Sequence, residues 1–181
     1  MRHRTSVLPY AVLAAAALST YAAPVGAADA ISGSASLNAQ TVALAHGFGV
    51  WSAKTRSASI GLFAKAPGAA QTAQALDEGI DSAFGVREPA NGAYVLLKLG
   101  FPAGAPRADH LNVCEIDFYN FADSPEQTMW LGNEQCGVTE LSGDLRPGGV
   151  VHGKLKGAST QTTGKKYTWD LAFTTTLQPG K

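Results

Sequence analysis

Charge is scarce in this 181-residue chain, and what there is cancels: 14 Lys and Arg face 14 Asp and Glu, and charged residues make up 15%. A dedicated nucleic-acid binder would carry a basic excess on one face or arm, so no nucleic-acid partner is expected. Long apolar runs are missing after residue 30, which argues against stable membrane insertion of the remainder. Catalytic signatures are missing too: there is no G-x-S-x-G, no H-E-x-x-H, no P-loop and no C-x-x-C. Hydrophobic residues, in contrast, make up an ordinary 45%, too many for an intrinsically disordered chain.

The start of the chain reads as a targeting segment. Arg2, His3 and Arg4 form a basic tip, an Ala-rich apolar run covers 7–23, and small-residue patterns follow at Val25-Gly26-Ala27 and Ala28-Asp29-Ala30. That is the layout of a secretory signal peptide. Pro9, Tyr10, Ser19, Thr20 and Tyr21 interrupt the run, which is short for a membrane span. Residues 1–30 are therefore expected to be removed by cleavage near Ala27 to Ala30, leaving 31–181 as one β-sandwich domain in the periplasm or outside the cell. A chain of that length buries about 68–70% of its unfolded surface, enough for a core of its own.

Cys114 and Cys136 are the only cysteines. In an exported protein an even pair predicts a disulfide with Cα atoms about 4.4–6.8 Å apart. Closing that loop is worth about 3 kcal/mol in the chain-entropy model. Two cysteines without a second Cys or His pair do not make a zinc site, so no metal is expected.

Between 41 and 177 most of the hydrophobic pattern has period two. Segments 41–52 and 57–65 form an early Gly-rich hairpin with its turn at 53–56. Segment 93–101 is almost wholly apolar and reads as a central strand. In 111–121, Cys114, Ile116 and Phe118 alternate with Glu115 and Asp117; in 149–156, Val151 and Leu155 alternate with His152, Lys154 and Lys156. The clearest alternation sets Tyr167, Trp169, Leu171, Phe173 and Leu177 against Thr168, Asp170, Thr174 and Thr176. Weaker strands are placed at 128–131 and 138–145. Residues 68–77, between Pro67 and Gly79, read as one short connecting helix, and 29–38 as a linker-like N-terminus. The expected fold is all-β: an antiparallel β-sandwich or flattened barrel of seven to nine strands with one short connecting helix.

No residue pattern demands chemistry. Gly47-Phe48-Gly49-Val50-Trp51-Ser52 lacks the third glycine and the helix that a dinucleotide loop needs, and reads as the inside of a strand. His46, His110 and His152 are scattered, with His46 on the apolar side of its strand. Glu115 and Asp117 share one face about 7 Å apart, a separation known from glycosidase carboxylates. They read instead as a solvated acidic face, ion-paired to Lys154 and Lys156 on a neighbouring strand. Neither catalytic residues nor a cofactor is expected, and the chain reads as a non-enzyme.

The most informative stretch is 120–137, where Phe121, Met129, Trp130 and Leu131 lie among polar residues including Glu134, and the cysteine pair staples both ends. Tryptophan is enriched at interface hot spots, and loops at the ends of sandwiches commonly bind. Phe121, Met129, Trp130, Leu131 and Glu134 are accordingly the expected contact residues for a protein partner, as in an inhibitor or immunity protein. The alternative expectation is a carrier holding a small apolar ligand or lipid between two sheets, where small residues such as Ala43, Ala45, Gly47 and Gly49 leave room.

Overall fold

A computed structural model describes residues 29–84, 92–101, 107–121 and 136–181. Nine strands form one curled, mixed sheet with the shape of a half-barrel: β1 (Ala30–Leu37), β2 (Gln40–Ala43), β3 (His46–Ser52), β4 (Ser57–Phe63), β5 (Tyr94–Gly100), β6 (Val113–Tyr119), β7 (Val138–Gly143), β8 (Val150–Thr160) and β9 (Lys166–Pro179). Helices α1 (Ala69–Glu78) and α2 (Ile80–Phe84) connect β4 to the segment before β5.

The organising strand is β9. Its 14 residues outrun any single neighbour. On one edge it pairs antiparallel with β8 from Lys166 to Thr176. On the other edge two strands lie end to end. β1 pairs antiparallel with Tyr167–Thr174, and β3 pairs parallel with Leu177–Pro179. In the gap between them Asp29 Oδ1 accepts the Thr176 N–H at 3.1 Å. The expected strictly antiparallel sandwich is corrected here, because the β3–β9 pairing makes the sheet mixed and continuous. Long-range pairing of this kind leaves no trace in local alternation.

Two further expectations are corrected. Segment 29–38 is not a linker: β1 takes up most of it and pairs with β9 along its whole length. Its Ser-, Ala- and Gly-rich sequence carries little strand propensity, but Ala35 and Leu37 are buried in the core. Segment 41–52 is two strands, not one. The chain leaves β1 at β2 and reaches β4 at β3, and the Leu44 and Ala45 amides are bonded to Gly33 O and Phe63 O. The turn at 53–56 is observed as read, with Ser52 opposite Ser57.

The concave face of the sheet holds the main core. Trp51, Phe101, Phe118, Phe121, Tyr167, Trp169, Leu171 and Phe173 pack there with aliphatic residues from every strand but β2, β3 and β7; β3 gives Trp51 alone, and Val42, Val138 and Leu141 of β2 and β7 flank the core. Phe118 is its aromatic centre, with ring centroids 5.1 Å from Tyr167, 5.7 Å from Phe121 and 5.9 Å from Trp169. Opposite two of the β9 aromatics, β8 carries glycine: Gly153 pairs with Phe173 and Gly157 with Trp169. Each ring lies where a Cβ on that glycine would stand, so the rings reach across the neighbouring strand.

The helices are not merely a connection. Ala75, Ile80, Ala83 and Phe84 build a second core on the convex face with Val50, Phe63, Tyr94 and Leu96. The expected single helix is thus a pair. α1 begins after Gly68, whose N–H is accepted by Gln71 Oε1 at 3.2 Å, and stops at Gly79, where φ is 98°. α2 starts directly afterwards.

Candidate functional site

Disulfide Cys114–Cys136 closes a separation of 22 residues with Cα atoms 5.9 Å apart. Both cysteines are buried, and the Trp169 indole N–H donates to Cys136 O at 3.0 Å. At the other end of the stapled segment Phe121 is 1% exposed. Residues 122–135, which include Met129, Trp130, Leu131 and Glu134, lie outside the described residues. Their two flanks are therefore fixed in the core. Phe121 itself belongs to that core: its ring packs on Phe118 and has no surface for a partner, because Asn120, with φ of 57°, breaks the alternation of β6 and turns Phe121 to the same side as Phe118.

Two clefts among the described residues lie outside the core, on the convex side of the sheet. The first, about 280 Å³, lies over β1, β9, β8 and β7. Two rows in register form it: Ala30, Thr174, His152 and Ser142, then Ser32, Ala172, Lys154 and Glu140. A ring nitrogen of His152 bonds Thr174 Oγ1 at 2.8 Å, and Lys154 Nζ reaches Glu140 at 3.0 Å. The second, about 230 Å³, lies between the helix pair and β3–β5, with Ser57, Ser59, Asp81 and Lys98 among its walls. Neither cleft opens between inner faces, where a carrier would hold its ligand.

The β6 carboxylates sit near the second cleft. Lys98 of β5, opposite Glu115 in register, approaches it at 3.5 Å. Lys154 and Lys156 are elsewhere, paired to Glu140 and Asp170. The expected pairing of Glu115 and Asp117 with those lysines is corrected, since β6 and β8 belong to different halves of the sheet. Asp117 is not on a solvated face. Burial, with the negative charges of Glu115 and Asp81 beside it, pushes its carboxyl up to about 7 against the opposing pull of Lys98. Its Oδ1 is buried without a hydrogen-bond partner.

No protein-family model, curated protein or solved structure matches the chain. Site chemistry therefore rests on the residues themselves. His46 is exposed at the start of β3 rather than partly buried, His110 is exposed in a 3-10 turn (Ala108–His110), and His152 is exposed on β8. Among the described residues no three His, Cys, Asp or Glu side chains are grouped to hold a metal. The residue that sequence reasoning missed is Asp81. Nothing in a five-residue helix announces that its charge bears on a strand acid distant in sequence.

Among the described residues no helix is long and apolar enough to cross a membrane. Near α2 the Tyr94 hydroxyl donates to Phe84 O, and the Tyr94 ring stacks on Tyr119 at 4.9 Å. Burial and the neighbouring Tyr119 push the Tyr94 phenol far above its ordinary range, so it serves as a neutral donor.

Proposed function

We propose that the protein is an exported, non-enzymatic binding module that offers the segment 122–135 to a protein partner. The observation that carries this reading is the anchoring of both flanks. Phe121 is locked among core aromatics, and Cys136 is held by the disulfide and by Trp169. Fixing the ends of a segment lowers the ordering entropy it loses on binding. Within it, Met129, Trp130 and Leu131 form an apolar triplet among polar residues, the composition of an interface anchor inside a polar rim. Cleavage near Ala27 to Ala30 and passage into an oxidising compartment complete the reading, and the disulfide supports them. A carrier function draws no support from a concave face filled by Trp51, Phe101, Phe118 and Trp169.

A photo-crosslinking amino acid at position 130, activated in intact cells, tests the proposal. One discrete protein adduct is expected, together with a Trp130→Ala variant that melts close to the parent. A melt lowered as far as by Trp169→Ala, with no adduct, would place Trp130 in the core and overturn it.

A further inference from the structure

The chain enters the sheet at a crowded point. β9 turns its even-numbered amides toward β1 and its odd-numbered ones toward β8: Thr176 N–H donates to Asp29 Oδ1, and Leu177 N–H donates to Gly149 O. β1 begins at Ala30, opposite Thr174. From Leu177 onward the same edge of β9 belongs to β3. The Thr176 amide falls between the two strands, and the Asp29 carboxylate takes it at 3.1 Å. A side chain thus continues the ladder at the one step that neither strand reaches.

The same short stretch closes the seam against β3. The point where a Cβ on Gly47 would stand is 2.6 Å from Ile31 Cδ1 and 3.7 Å from Asp29 Cβ, so both side chains lie against the start of β3. Among the described residues β1 and β3 share no ladder of their own. Their ends are joined by three neighbours in sequence: Asp29 on Thr176, Ala30 on Thr174 and Ile31 beside Gly47.

Two small-residue patterns compete for the cut that removes the leader, Val25-Gly26-Ala27 and Ala28-Asp29-Ala30, and their composition does not separate them. The sheet does. A cut after Ala30 discards Asp29 and Ala30, so Thr176 loses the acceptor of its amide and Thr174 loses its partner on β1. Resting on the export reading above, we propose that the mature protein keeps Asp29 as the lock between β1 and β3, and that the leader is released by hydrolysis of the Ala27–Ala28 bond. Water adds across that amide and its C–N bond breaks. The hydroxyl stays on the Ala27 carbonyl carbon, whose acid leaves with the leader, and the proton goes to the Ala28 nitrogen, which becomes the new α-amino group. The cut precedes folding, so the sheet does not steer the peptidase. It separates the products: a chain starting at Ala28 holds every residue that the edge of β9 uses, and one starting at Ile31 does not.

Expression of the full chain in a secreting bacterium, with intact mass and N-terminal sequencing of the exported product, tests the cut. A product starting at Ala28 is expected. One starting at Ile31 overturns the proposal and leaves export standing, whereas one still starting at Met1 overturns the export reading and the cut with it. Hydrogen exchange at the Thr176 amide reads the lock itself. In Asp29→Ala its protection should fall by up to about tenfold, the worth of one net hydrogen bond. Asp29→Asn keeps a side-chain oxygen in place and should hold the protection of the parent. The Leu177 amide, bonded to Gly149 O instead, should not change in either variant. Equal protection of Thr176 in Asp29→Ala and the parent would overturn the lock.

Discussion

One half of the sheet is covered on one face and the other half on both. In β1, β2, β7, β8 and β9 the concave face is core, and the convex face is a field of Ser, Thr, Lys and Glu crossed by exposed ion pairs. In β3 to β6 the helix pair adds a second apolar layer on the convex side. The same backbone geometry thus yields two sequence patterns. β8 alternates cleanly, while β5 is buried at every position but Lys98. A strand's pattern reports how many of its faces are covered, and an acid on a doubly covered strand is not the equal of one on an open face. Asp117 and Asp170 show it: the first is pushed up to about 7, and the second forms an ordinary surface pair with Lys156.

The largest expected effect tests whether the singly covered half depends on its one core. Trp169→Ala should cost about 3–5 kcal/mol in denaturant unfolding, because it opens a cavity beneath Gly157 and leaves Cys136 O without its donor. The next tests the added layer. Phe84→Ala should cost about 3 kcal/mol, at the low end because a short helix can settle into the space. It should strip protection from Ala83 before any β8 amide. Equal loss in both halves would show that the helix pair and the open half unfold as one. The smallest tests the convex face of the open half. Lys154→Ala should change stability by less than about 1 kcal/mol, since it and Glu140 are both largely exposed. A larger loss in thermal melts would mean that this face contributes far more than its exposure implies.

Much of this architecture was legible from alternation. Tyr167 to Leu177 on β9, Val151 and Leu155 on β8, and Cys114 to Phe118 on β6 point inward as read. The disulfide was legible from an even cysteine pair in a chain read as exported. Three things were not. β1 has no apolar pattern strong enough to announce itself, and its place is set by the long free edge of β9. The parallel pairing of β3 with β9 joins segments far apart in sequence, which no local signal encodes. The setting of Asp117 depends on which element covers it, and alternation says only that it faces away from Phe118. For the stapled segment, the sequence and the fixed flanks at Phe121 and Cys136 are all that bear on its role.

The position of β9 in the chain also imposes an order in time. It follows the other eight strands, yet it is the partner of β1, β3 and β8. Ser36 and Thr168, bonded across the β1–β9 pair, are separated by 132 positions. During synthesis β1 therefore waits for almost the whole domain before it finds its edge. Contacts of such span close slowly, because loop entropy is lost before pairing rewards it. Until β9 is made, β1, β3 and β8 each lack the neighbour that joins them, so the sheet becomes continuous only when the whole span from β1 to β9 has been synthesised.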